Sequence, residues 1–182
     1  MNIEESVSLM WEKAQQGAFY PEALHDKLSI DEAYQVQIGM LDHCVKAGER
    51  QAGWKIGLTA DAVRAHFNAK APVYGYLLES RRFPAGHAFS FNDAQTPSIE
   101  SELCFFFKGD VKGPNATPGG VLDALESVAP AFEVIERRGD MAGQLPLGVA
   151  DNVSQWAYVV GSLLKPYPRG LDLGAIEAVV NT

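Results

Sequence analysis

The sequence predicts an α+β domain, with two helices leading into a β-rich body, and three observations carry that expectation. The first 50 residues hold two apolar stripes at helical spacing. The remainder breaks into short runs rich in β-branched and aromatic residues, punctuated by glycine and proline. Three glutamates stand at strand-like positions beside or within those runs. One domain is expected over 1–182, helical over 1–50 and β-rich over 51–182.

Taken in order, Ile3, Val7, Met10, Trp11 and Ala14 recur at helical spacing over 3–16, and Gly17 stops the run. Ser29 and Glu32 form a capping-box pattern ahead of a second stripe, Ala33, Val36, Met40, Leu41 and Cys44, ended by Gly48. GWKIGLT at 53–59 reads as a short strand entering a turn, 60–68 as a short helix, and 72–78 as extended. The segment 81–97 is turn-rich with room for a short strand. Strands are expected over 101–107 and 130–136, with a helix at VLDALESVA, 121–129, between them. A glycine- and proline-rich loop over 139–148 precedes a strand-like run over 156–164. The sequence stops where another strand-like run, 176–180, has just begun. Either that run pairs with an earlier strand, or the sequence is a shortened version of something longer. Alternating βαβ units are not evident. The glycines at 53–57 lack the strand–GxGxxG–helix context, which excludes a dinucleotide site.

Composition narrows the classes. With 47% hydrophobic and 21% charged residues the chain reads as an ordinary soluble globular protein. Its net charge of −8 argues against a nucleic-acid partner, which wants a basic face. Cys44 and Cys104 are too few for a disulfide framework and fit a reducing cytoplasm. The acidic, amphipathic N-terminus is no signal peptide, and no apolar run approaches the ~18 residues of a membrane span.

The chemistry concentrates in PSIESELCFFF, 97–107. Glu100 and Glu102 are two apart, so on a strand they face the same side, beside residues that belong in a core. Burying two like charges together is costly unless a cation joins them or one is protonated. A third carboxylate, Glu133, sits at a core-like position in AFEVIE, 131–136. Three carboxylates on buried strands point to a divalent hard-metal site, and such a site suggests an enzyme.

GWKIGLT, PVYG, IESELCFFF, PAFEVIERR and ADNVS, in this order and spacing, with DEAYQVQ near the N-terminus, resemble the 2-keto-4-pentenoate hydratase and 4-oxalocrotonate decarboxylase group of the fumarylacetoacetate hydrolase superfamily. The resemblance covers essentially all of 1–182 and implies a mixed-β roll with flanking helices, here C-terminally truncated relative to the family. It implies a Mg²⁺- or Mn²⁺-dependent lyase of aromatic catabolism, with Glu100, Glu102 and Glu133 as metal ligands and Lys55 as the active-site lysine. Two positions depart from the pattern. Val73 stands where hydratases carry an aspartate and the decarboxylase branch an aliphatic residue, and Gln155 replaces the second serine of D-N-x-S-S.

The two branch reactions share a chemistry. A 2-oxo acid chelates a divalent metal through a carboxylate oxygen and its keto oxygen, and the metal stabilises the enolate formed as CO₂ leaves or as water adds. Lys55, between Trp54 and Ile56, either holds the substrate carboxylate, transfers a proton, or snorkels to the surface. Asn152 and Ser154 either donate hydrogen bonds to substrate or belong to a turn begun by Asp151. His66 and Cys104 read as structural, Glu79 as a surface carboxylate, and Arg137 and Arg138 as solvated by default.

The expectation is a metal-dependent lyase acting on a small 2-oxo acid, with Val73 tilting it toward decarboxylation. The alternatives are an acylpyruvate-type C–C hydrolase, disfavoured by the missing histidine motif, and a catalytically impaired assembly partner. The resemblance implies a homo-oligomer or a hydratase/decarboxylase complex.

Overall fold

The computed structural model describes residues 1–161, 165–168 and 170–179. The helices α1 (Ile3–Gln15) and α2 (Ile30–Lys46) form the N-terminal layer. Each begins with a capping box. Asn2 and Glu5 exchange side-chain and backbone hydrogen bonds at α1, as Ser29 and Glu32 do at α2, satisfying amides that the helix itself leaves unpaired. Gly39 lets the two helices approach closely, because a Cβ there would stand 2.5 Å from a Val7 methyl. Val7, Met10, Leu24, Val36 and Met40 make the core of this layer together with Leu147, Val149 and Ala150. Complete burial of one such aliphatic side chain contributes roughly 1.5–3 kcal/mol.

Two sheets follow. Strands β1 (Gln51–Gly57) and β2 (Val73–Leu78) pair as an antiparallel hairpin whose connection carries α3 (Asp61–His66). The larger, mixed sheet contains β3 (Arg82–Phe83), β4 (Pro97–Phe107), β5 (Leu125–Glu136), β6 (Gln155–Val160) and β7 (Lys165–Pro166). Its order is β3-β6-β5-β4, with β7 pairing β5 beyond β6. β3 and β6 run parallel, and the other pairings are antiparallel. Two short helices complete the described fold, α4 (Pro118–Ala124) before β5 and α5 (Leu145–Ala150) before β6. Among the described residues no helix is long and apolar enough to cross a membrane.

The α+β expectation and the mixed sheet hold, and several elements differ in extent. The helix expected over 121–129 ends at Ala124, because 125–129 joins the β4 ladder opposite Cys104 to Phe107. The glycine- and proline-rich loop over 139–148 yields α5, which starts beside a proline at its first turn, where a missing N–H costs nothing. The core placement expected for PSIESELCFFF is corrected. β4 is the outer strand of the described sheet, residues 99–102 are exposed, and Ile99 is 68% exposed. β5 takes its other neighbours from β6 and β7, so β4 has a partner on one side alone among the described residues. Of the strand expected over 156–164, β6 accounts for 155–160 and residues 162–164 lie outside the described set. Of the strand expected over 176–180, residues 176–179 form no strand, and Val180 lies outside the described set.

The hairpin and the larger sheet share no strand pairing among the described residues, so side chains must align them. Gln37, fully buried on α2, donates both amide hydrogens, to the Tyr74 carbonyl at 3.0 Å and the Val149 carbonyl at 2.7 Å. One side chain thereby ties α2 to β2 and α5.

Candidate metal centre

The antiparallel register of β4 and β5 sets Glu100 directly opposite Glu133, and Glu102 follows two residues later on the same face. One carboxylate oxygen from each of the three lies within 4.8 Å of the others. Twice a Mg–O bond is about 4.2 Å and twice a Ca–O bond about 5 Å. Oxygens this close can be drawn onto one hard cation by side-chain rotation. Glu133 is buried at 5% exposure, while Glu100 and Glu102 are exposed, so the cluster is anchored on its inner side and open on its outer side.

Lys55 reaches into the cluster from the hairpin, its Nζ 3.1 Å from Glu133 Oε1, with both side chains nearly buried. Burial pushes the Glu133 carboxyl above its ordinary value, Lys55 opposes that shift, and Glu100 and Glu102 add to it. Glu102 is also raised, first by burial and then by Glu100, against the pull of Lys55. Three carboxylates and one ammonium leave a formal charge of −2, which a single divalent cation neutralises. Oxygen donors of this kind suit Mg²⁺, Mn²⁺ or Ca²⁺ and offer nothing to a thiophilic metal.

Around Lys55 the neighbours come from three segments. Its strand partner is Gly75. A Cβ on Gly75 would stand 2.6 Å from Asn152 Oδ1, so the glycine leaves the space that the Asn152 carboxamide fills. That carboxamide is bound to β2: Oδ1 accepts from the Tyr76 amide at 2.7 Å, and Nδ2 donates to the Tyr76 carbonyl at 2.9 Å. Val73 Cγ2, Val153 Cγ1 and Lys55 Nζ all lie within 3.7 Å of the point where a Gly57 Cβ would stand. Val73 and Val153 thus border the same space as the lysine head and form an apolar collar around that space.

Asn152 and Val153 belong to the turn Asn152–Ser154, in which three consecutive non-glycine residues have positive φ: 59°, 53° and 60°. Each costs about 1–3 kcal/mol in this region, the β-branched Val153 most severely, so the surroundings must hold the turn in place. Arg138 does so. Its guanidinium donates from Nη1 to the Asp151 carboxylate at 3.2 Å and from Nη2 to the Gln155 carbonyl at 3.0 Å, gripping both flanks of the turn. Nε donates to Glu136 at 2.6 Å, and the guanidinium lies over the Phe19 ring at 4.8 Å. Burial raises the Asp151 carboxyl to about 6 against the opposing pull of Arg138.

Of the residues singled out in the sequence, Glu100, Glu102, Glu133 and Lys55 thus converge, and Asn152 sits over the strand partner of Lys55. Ser154 is half-buried and turns toward Tyr20, whose hydroxyl burial raises. The solvated default for Arg138 is corrected: its side chain is 13% exposed and fully engaged, whereas Arg137 is exposed. Glu79 pairs with Arg50 at 3.7 Å on the surface, His66 is exposed against Phe67, and Cys104 packs beside Ala129, Tyr158 and Val160. Gly75 escaped the sequence reading, and so did the buried bracing role of Arg138. The glycine of PVYG was the available signal for the first, and nothing in ERR distinguishes the second from its neighbour.

A mixed α+β fold here gathers three carboxylates and a lysine into a candidate site for a hard metal ion. No family model matches the sequence, so kinship rests on individual proteins. The chain is 36% identical over 154 residues to a 2-hydroxyhexa-2,4-dienoate hydratase of Comamonas testosteroni, covering 83% of this chain and 58% of that protein. It is 31% identical over 178 residues to a 4-oxalocrotonate decarboxylase of a Pseudomonas species, covering 97% of this chain and 69% of that one. The structure of the 4-oxalocrotonate decarboxylase from Pseudomonas putida G7, complexed with magnesium and adipate, superposes with a TM-score of 0.82 at 26% identity, covering 90% of this chain and 65% of that one. The chain belongs to the family of 2-keto-4-pentenoate hydratases and 4-oxalocrotonate decarboxylases. It spans between 58% and 69% of the length of these relatives.

Proposed function

We propose that this chain carries the metal-binding half-site and lysine of a divalent-metal-dependent lyase that acts on a small 2-oxo acid. The observation that carries the proposal is the convergence of Glu100, Glu102 and Glu133 within 4.8 Å, with Lys55 at 3.1 Å from Glu133. The solved decarboxylase was complexed with magnesium and a dicarboxylate, which supports both the ion and the substrate class. The hairpin and mixed sheet correspond, in this reading, to part of a mixed-β roll.

Glu100, Glu102 and Glu133 hold the cation. A bound Mg²⁺ or Mn²⁺ supplies Lewis-acid polarisation of the carboxylate and keto oxygens of a 2-oxo acid. Lys55 presents its ammonium to the substrate, where it pairs with a carboxylate and moves a proton to or from C3 as enolate charge develops. Val73 and Val153 exclude water from the lysine head, which strengthens the electrostatic interactions made there. Asn152 holds the β2 backbone beside the lysine, and Ser154, turned toward Tyr20, completes the turn. Val73 offers no base to activate a water, so decarboxylation is favoured over hydration.

The test is turnover of 4-oxalocrotonate and 2-hydroxypentadienoate by the purified chain with Mg²⁺ or Mn²⁺, alongside Glu102→Gln. Metal-dependent turnover that falls by about 10²-fold or more in the variant supports the proposal. Undiminished turnover in a folded Glu102→Gln protein contradicts it.

A further inference from the structure

We propose that Arg138 and Asn152 are positioning residues that set the reach of Lys55 to the carboxylate cluster; the role rests on the site assignment above. Lys55 lies on the hairpin and Glu133 on the larger sheet, and no strand pairing joins the two among the described residues. The distance between ammonium and carboxylate therefore depends on what locks one sheet against the other. The turn Asn152–Ser154 is the lock nearest Lys55, beside the packing of Leu77 on β2 against Ala129, Tyr158 and Val160.

It is anchored at both ends. On the hairpin side Asn152 makes paired hydrogen bonds to the Tyr76 backbone, at 2.7 and 2.9 Å, directly over Gly75, the strand partner of Lys55. On the sheet side Arg138, two residues beyond the end of β5, bonds Asp151 before the turn and Gln155 after it. A strained left-handed turn relaxes when either anchor is lost, because its three residues prefer other backbone regions. Relaxation moves Asn152 off Gly75 and Val153 away from Gly57, and Lys55 loses its collar. A planar five-donor guanidinium is needed to reach Glu136, Asp151 and the Gln155 carbonyl together, and a lysine cannot replace it.

The test reads Lys55 directly, on metal-free protein without substrate. Acetylation by N-hydroxysuccinimidyl acetate is followed at each lysine by peptide mass spectrometry, in the wild type, Gly75→Ala, Arg138→Lys and their double variant. Lys55 is protected in the wild type, with its side chain 10% exposed. We expect its labelling to accelerate about tenfold in each single variant, while Lys46 and Lys70 change by less than about twofold. Both substitutions act through one turn, so the double variant labels no faster than the faster single. Val7→Ala, a core change at the close approach of α1 and α2, leaves Lys55 protected. If one variant fails to fold, the other carries the test.

Lys55 labelling within about twofold of wild type in the folded variants overturns the proposal. So does equal acceleration in Val7→Ala, or a double variant whose effect is the product of the singles. Turnover separates the premise: under the lyase reading kcat falls by about 10²-fold in Gly75→Ala, while KM for substrate changes less. The expected labelling pattern on a wild type with no turnover sinks the lyase reading alone, and lost turnover with unchanged labelling sinks the positioning role alone.

Discussion

Lys55 Nζ lies 3.1 Å from Glu133 Oε1 across the gap between a hairpin and a sheet that share no ladder among the described residues, and both side chains are nearly buried. That one contact joins the two halves of the candidate site. It also makes the site sensitive to charge, to pH and to bound cations.

Replacing Lys55 by Met removes the compensating charge beside Glu133. Breaking a buried ion pair by deleting one partner costs about 3–5 kcal/mol. The loss is expected at pH 8 in urea unfolding without metal, shrinking toward pH 5 as Glu133 takes up a proton. Saturating Mg²⁺ restores part of the stability, because the ion replaces the lost positive charge.

Metal affinity is expected to weaken as pH is lowered. Glu133 and Glu102 both have carboxyls raised above their ordinary value, so the apo protein binds their protons at a pH where an unfolded chain would not. Their contribution to stability is present at low pH and is lost as pH rises through the folded-state values. Cation binding needs the deprotonated forms, so added Mg²⁺ should raise the melting temperature more at pH 8 than at pH 5. Thermal melts at the two pH values, with and without the ion, check this.

Arg138→Met leaves the buried carboxylates of Glu136 and Asp151 without their ion-pair partner, although Glu136 still accepts from the Gln95 amide, at a cost of about 3–5 kcal/mol near pH 8. Asp151 is raised to about 6, so it binds a proton in the folded state at a pH where the unfolded chain has lost it. The penalty should therefore be smaller at pH 5 than at pH 8. Chemical denaturation of the variant at both values measures the difference.

Val73→Asp places a carboxylate in the collar beside Lys55 Nζ. Val73 is only 4% exposed, so a loss of roughly 1–3 kcal/mol in stability is expected. In the folded fraction, hydration of 2-hydroxypentadienoate should rise relative to decarboxylation of 4-oxalocrotonate. An unchanged ratio of the two rates counts against a role for residue 73 in choosing the reaction.

Much of the site was legible because it follows strand parity. Glu100 and Glu102 announce one face by their spacing, and Glu133 lies in the next long strand, where antiparallel pairing brings it opposite. Lys55 was legible through its motif rather than its chemistry. The capping boxes at Asn2 and Ser29 show the asymmetry of local signals: Ser29 and Glu32 were read, and Asn2 with Glu5 follow the same rule. The extent of β5 was not legible, since 125–129 has helical local preference and joins the sheet only because β4 lies alongside. Burial on β4 was also misjudged, because an apolar run does not reveal how many neighbours its strand has. Gly75 and Arg138 act across 77 and 13 to 17 residues of separation respectively, through contacts that no spacing rule encodes.

The central claim is that the three glutamates hold one divalent cation. Calorimetric titration of the metal-free chain with Mn²⁺, compared with Glu133→Gln, tests it most directly. One bound ion per chain is expected, with affinity reduced by about tenfold or more in the folded variant. Equal Mn²⁺ affinity in Glu133→Gln and the wild type would contradict it.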